Sequence, residues 1–244
     1  EQGIGYSLIV SHNVSKLGRR ASLKDDEFGR FLGPTVAFRI SPTYWAQAAA
    51  ELSRQDPVMA ELVERYAGLS LVSRGDPFGT LARSIVGQQI SVKAADAVWG
   101  RFSAQVGEVS PQCVLGLGEA GLAGCGLSKR KIEYLCDLAG HFSSGRLDPV
   151  AWTSLDDEAV IAELTEVRGI GRWTAEMFLI FNQMRPDVFP LDDIGLQRAV
   201  SERYFAGEKQ SRRTLAAFGE RWRPWRSVAT WYLWRSLDPL PVEY

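Results

Sequence analysis

The sequence predicts an all-α protein, and three observations carry that prediction. From residue 41 onward, apolar residues recur at three- and four-residue spacing, the period of a helix face. Helix-start signals, a Ser or Asp often followed by Pro, stand in front of several of these runs. No strand-like alternation is interleaved with them, which excludes a parallel α/β sheet.

The elements follow in order. Residues 1–40 are glycine-rich, with short β-like pieces over 6–10 and 35–40, and stay unplaced as an irregular segment or a β-like remnant. The helical region is predicted over 41–244. Ser41-Pro42 reads as an N-cap with proline at the first helical position, and Asp56-Pro57 repeats the signal. Phe78, Leu81 and Ile85 mark a third helix that ends near "VGQQIS". Ser91 caps a fourth, with Ala95, Val98, Trp99 and Phe102 on one face. "GLSKRKIEYLCDLAGHF" and "DDEAVIAELTEV" supply two more, and three follow over 172–184, 194–205 and 211–222. Pro224 opens the last, "PWRSVATWYLWRSL". "GLGEAG" (116–121) matches a dinucleotide-binding glycine pattern, with Asp137 downstream. No strand precedes it, and Gly124 and Gly126 would interrupt the helix it needs, so it reads as a loop.

Composition narrows the function. With 244 residues the chain holds one large domain or two small ones, and no apolar run spans a bilayer. The start carries no secretory pattern, and its first residue, Glu1, points to a trimmed N-terminus. Three cysteines without CxxC spacing, and only His12 and His141, argue against a zinc site or disulfide framework and for a reducing compartment. A net charge of −1 speaks against a strongly basic nucleic-acid binder. Charge is uneven, however: Lys209, Arg212, Arg213, Arg221, Arg223 and Arg226 face a single Glu220, either as a solvated helix face or as a phosphate-facing surface.

The most informative stretch is "LTEVRGIGRWTAEMFLIF" (164–181), where Gly169 and Gly171 interrupt a helical pattern. Two helices joined by G-I-G leave the second with unpaired amides at its N-terminus. Glycine lets the backbone come close to a ligand, and the amides plus the helix dipole attract an anion. Ile170 can turn inward to pin the helices, while Arg168 and Arg172 put charge at the rim. That is a phosphate clamp for nucleic-acid backbone; a plain helical hairpin also favours glycine, and the hairpin alone leaves both readings open. Downstream, "DVFPLDDIGLQRAV" places Asp192 and Asp193 at a helix start. One could cap the helix and the other face a cleft.

Together these motifs resemble the helix-hairpin-helix DNA glycosylase superfamily, in its 3-methyladenine DNA glycosylase II branch. The resemblance covers roughly residues 44–237 and rests on "RSIVGQQIS", "GLSKRKIEYL", "VRGIGRWTA", "FPLDDIGLQ" and "ERWRPWRSVATWYLW", in order and at matching spacing. It implies a two-lobed helical bundle with the hairpin at about 160–184. It implies Asp193 as the catalytic carboxylate, Trp173 and Trp234 as aromatics lining the base pocket, and Gln89 as the residue that fills the emptied base stack. Arg168, Gly169, Ile170, Gly171, Arg172 and Thr174 would meet the DNA backbone. In the family a monovalent cation is often held by hairpin carbonyls; no other metal and no cofactor are implied. Two features depart from the branch: only about 75 residues precede the wedge helix, leaving little room for the β-rich N-terminal domain of some members. The wedge position holds polar Gln89.

The function implied is a monofunctional, monomeric glycosylase that flips alkylated purines from double-stranded DNA and hydrolyses the N-glycosidic bond. It would reside in the nucleoid of a bacterium or the nucleus of a eukaryote. A bifunctional glycosylase/lyase of the same fold is one alternative, but Trp173 stands where many lyase relatives carry lysine, and no cysteine after Cys136 could hold an iron–sulfur cluster. A non-catalytic helix-hairpin-helix binding module is the other; it would need the clamp but not Asp193.

Overall fold

The computed structural model describes residues 41–73 and 75–237, and among these every regular element is helical. Expectations for residues 1–40 lie outside the described residues. The helices are α1 (Trp45–Gln55), α2 (Pro57–Arg65), α3 (Pro77–Gly87), α4 (Val92–Val106), α5 (Pro111–Leu122) and α6 (Lys129–Ser143). Then come α7 (Asp157–Thr165), α8 (Arg172–Phe181), α9 (Ile194–Tyr204), α10 (Arg212–Gly219) and α11 (Arg226–Leu237), with short 3₁₀ turns at Ala151–Ser154 and Glu220–Trp222.

Most helix starts obey their caps. The side chains of Asp56, Asp76, Ser91, Ser110, Ser128, Asp156, Asp193 and Ser211 each accept from a backbone amide of the following first turn. Two starts differ from expectation. Ser41 does not cap α1: the amide of Trp45 bonds to the carbonyl of Pro42 in a turn, and the helix begins at Trp45. α11 begins at Arg226 rather than Pro224, because residues 220–225 are spent on the 3₁₀ turn and the connection behind it.

"GLGEAG" is the larger correction. It lies inside α5, which Ser110 and Pro111 open and which Gly118 breaks with φ 61° and ψ −174°. Glycine costs a helix only about 1 kcal/mol per site. Val114 and Leu122, both buried, anchor the two halves in the core. The dinucleotide reading still fails, since no strand precedes the glycines among the described residues.

Two lobes share one continuous core. In the first, α3, α4, α5 and α6 pack in sequence, with α6 lying against both α3 and α5. In the second, α11 is the centre, packed on α1, α2 and α9. The hairpin α7–α8 lies between, α8 touching α3. An aromatic chain fixes that junction: Phe78 meets Phe142 edge-on, Phe142 meets Trp152, and Trp152 meets Phe178 of α8. As expected of most of the tryptophans, Trp222 is core, and Trp99 is half-buried against it.

Candidate active site

The two hairpin glycines do different work. Gly169 has φ +87°, the left-handed region that favours glycine, and its Cα sits against the Tyr134 ring of α6, where a Cβ would collide. Gly171 has φ −96° and ψ 172°, extended backbone open to any residue, and a Cβ there would meet nothing. Gly171 is the N-cap of α8 and contributes no side-chain cap, so the first-turn amides of α8 are left for an external acceptor. Ile170 turns inward and is buried, as the hairpin logic requires.

The rim cations are not free. Arg172 donates Nη1 to Glu158 and Nε to Glu176 Oε1 at 2.8 and 3.0 Å, tying α8 to α7. Its guanidinium is thereby ion-paired within the hairpin, with the side chain still 45% exposed. Arg168 gives its backbone amide to Asp137 Oδ2 at 2.8 Å, and its guanidinium lies 3.4 Å from the same carboxylate. Thr174 is buried.

Asp193 begins α9 and combines two tasks that the sequence divides between neighbours. Its Oδ1 accepts from the Leu196 amide at 2.6 Å as the helix cap, and from Trp234 Nε1 at 2.8 Å. Its Oδ2 accepts from Trp173 Nε1 at 3.0 Å. Asp192 points to the surface and pairs with Arg212. Trp234 is stacked on Phe181 with the rings 5.7 Å apart and 10° from parallel. Trp173 remains 37% exposed, and Ile194 beside it is open to solvent. Gly195 closes the back of the site: a Cβ there would lie 3.1 Å from Asp193 Oδ1 and 3.4 Å from the Trp234 ring. Sequence reading missed Gly195, although it lies within the quoted "IGLQ".

Gln89 stands in the turn between α3 and α4, exposed, and carries a left-handed backbone at φ +59°. Its neighbour Gln88 reaches across to the hairpin and donates Nε2 to the Gly169 carbonyl at 2.8 Å. Thus a turn from one lobe, the hairpin, and the carboxylate of the other lobe are linked through direct contacts.

A family model for the "HhH-GPD superfamily base excision DNA repair protein" matches residues 82–224, more than half of the chain. The chain belongs to this superfamily. DNA-3-methyladenine glycosylase 1 of Schizosaccharomyces pombe is 31% identical over 182 residues, 73% of this chain and 80% of that protein. Among solved structures, a DNA-3-methyladenine glycosidase from Bacillus halodurans superposes with a TM-score of 0.71 at 36% identity, covering 82% of this chain and 92% of that one. The S. pombe 3-methyladenine DNA glycosylase in complex with abasic DNA gives 0.68 at 30% identity, over 81% and 99% of the two chains. The chain spans 66% of the length of two Bacillus subtilis relatives that it matches.

Within this HhH-GPD fold three of the six cations of the C-terminal cluster are ion-paired. Arg223 and Arg226 bind Asp187 and Glu220, Arg212 binds Asp192, and Arg221 lies 3.6 Å over the Phe218 ring. A charged cavity of about 640 Å³ lies behind α8, lined by Asp157, Glu158, Arg172, Glu176, Arg185 and Asp187 among others; Asp193, Trp173 and Trp234 take no part in it. Burial pushes the Glu176 carboxyl above the usual glutamate range. For a cation at the hairpin, two of the turn carbonyls already have donors: Val167 accepts from the Ile170 amide and Gly169 from Gln88.

Proposed function

We propose that this HhH-GPD protein is a monofunctional DNA glycosylase that removes alkylated purines, such as 3-methyladenine, from duplex DNA and leaves an abasic site. The observation that carries this reading is the hydrogen bonding of Asp193. A carboxylate has about four acceptor positions. Among the described residues three donors hold Asp193, two on Oδ1 and one on Oδ2. Position and orientation are thus fixed while one acceptor site on Oδ2 is left for chemistry.

The steps follow from that geometry. A paired base must leave the stack before its glycosidic bond is reachable. The amides at the start of α8 hold a phosphate without reading sequence, and Gln89 enters the gap left by the base. Alkylation that places positive charge on a purine makes it a good leaving group, so little protonation is needed. The sugar then carries oxocarbenium character, which the fixed anion of Asp193 stabilises, while its free acceptor site takes the proton of an attacking water. Trp173 shares its N–H with Asp193 and keeps an exposed ring for a cationic base, a contact worth roughly 0.5–2 kcal/mol. The relatives named for 3-methyladenine support the substrate class. Clamp, wedge and carboxylate all come from one chain, which supports action as a monomer.

The test is base release from duplexes carrying 3-methyladenine, 7-methylguanine, hypoxanthine or ethenoadenine, with strand cleavage scored separately. Free base and strands cut only by later alkali are expected. A covalent adduct trapped by borohydride would overturn the monofunctional reading.

A further inference from the structure

Gln89 is a non-glycine residue in the left-handed region, a conformation that costs a β-carbon-bearing residue on the order of 1 kcal/mol or more. Something must hold it there. The α3 helix ends just before it, with C-terminal carbonyls that lack helical partners. Lys131, on the first turn of α6, donates Nζ to two of these, Val86 O at 2.7 Å and Gln88 O at 2.8 Å. A cation at a helix C-terminus also complements its dipole. On the far side, Ser91 caps α4 and pins the chain again. Gln89 is therefore strung between two fixed points, and one of them is a single ammonium group.

The same helix governs the hairpin. Tyr134 packs beneath Gly169, and Asp137 accepts the Arg168 amide at 2.8 Å. Residues 131, 134 and 137 recur every three positions and share one face of α6. Gln88, whose carbonyl Lys131 holds, closes the circuit by bonding to the Gly169 carbonyl. One face of α6 thereby sets the spacing between the wedge turn and the phosphate clamp.

We infer that Lys131 is a positioning residue for base flipping: it holds Gln89 in register with the hairpin, and touches neither base nor sugar. This rests on the base-flipping reading given above. Burial also lowers the Lys131 pKa, in keeping with an ammonium whose water has been replaced by carbonyls.

The experiment compares wild type and Lys131→Met, which keeps the apolar stem and loses the donors. Each is given 7-methylguanine paired in a duplex, and the same lesion inside a short unpaired bubble with duplex flanks. A base already unstacked has less need of the wedge. The expected result is a loss of tenfold or more on the paired lesion and of less than threefold in the bubble. Lys131→Gln, which keeps an N–H donor, is expected to fall between. A paired-to-bubble ratio within twofold of wild type overturns the inference, whether activity is lost on both substrates or on neither. Amide exchange over residues 86–91 is a second readout that needs no activity. Faster exchange confined to that turn supports the role, and unchanged exchange overturns it. Absence of any base release by the wild type would count against the glycosylase reading instead, and the exchange comparison would then decide Lys131.

Discussion

Asp56 and Asp193 are the same device built twice. Each is an aspartate at the N-cap of a helix, each is nearly buried at 6% and 8% exposure, and each collects an indole N–H from a distant helix or turn. They differ in saturation. Asp56 accepts four bonds: the Val58 and Met59 amides on Oδ1, and the Tyr204 hydroxyl and Trp222 Nε1 on Oδ2. Asp193 accepts three, and one of its donors, Trp173, is open to solvent. Four donors consume a carboxylate and make it a structural knot; three leave it fixed but able to act. Burial alone does not separate a buried structural acid from a catalytic one. Under the proposed function, the count of donors does.

The largest expected effect is on chemistry. Asp193→Asn keeps the cap oxygen but loses the charge, and excision should fall by at least two to three orders of magnitude, roughly 3–4 kcal/mol of transition-state stabilisation. Binding to undamaged duplex should survive within a few-fold, as measured by fluorescence anisotropy. Near-wild-type excision would break the comparison outright.

Asp56→Ala should do the reverse. It removes a helix cap and strands two ring donors, so a stability loss of roughly 3–5 kcal/mol is expected. Denaturant titration measures it, with excision per folded molecule unchanged. A selective loss of excision would make Asp56 a second functional acid.

A smaller effect separates the indoles. Trp173→Phe keeps an aromatic face and removes the only donor on Asp193 Oδ2 among the described residues. About a tenfold loss of single-turnover rate is expected, with little change in the melting midpoint. Trp222→Phe removes a donor on Asp56 Oδ2 within the core. It should cost about 1–2 kcal/mol of stability and leave the rate alone. Equal behaviour of the two variants would erase the distinction.

The smallest effect belongs to Asp192→Asn. Its only partner among the described residues is Arg212, and exposed pairs contribute about 0–1 kcal/mol. Excision within about twofold of wild type is expected, and a ranking in which Asp192 outweighs Asp193 would reassign the catalytic acid.

The helical architecture was legible because its signals are local. Asp56-Pro57 and Ser91 announce helix starts through contacts that span only two or three residues, and the structure has them. The α5 helix escaped because three glycines within it outweigh, on propensity alone, the Ser110-Pro111 start signal. At the site, "GIG" announces a tight turn, but not which glycine is indispensable. That depends on Tyr134, which lies 35 positions away. Arg172 looked like a rim cation because the sequence cannot show Glu158 turned towards it from α7.

By itself, then, the sequence determined most of the elements, the order of the motifs and the acidic pair at the start of α9, since periodicity, capping and motif spacing are properties of neighbours along the chain. Only the tertiary structure decided how many donors each aspartate receives, which cations are already ion-paired, and which helix aligns wedge with clamp. Those are meetings between residues far apart in sequence: Trp173 and Trp234 on Asp193, Tyr204 and Trp222 on Asp56, and Lys131 on the end of α3. Hydrogen-bond saturation and charge pairing are set by distances of about 3 Å between such groups, and only the packing of distant helices brings them that close.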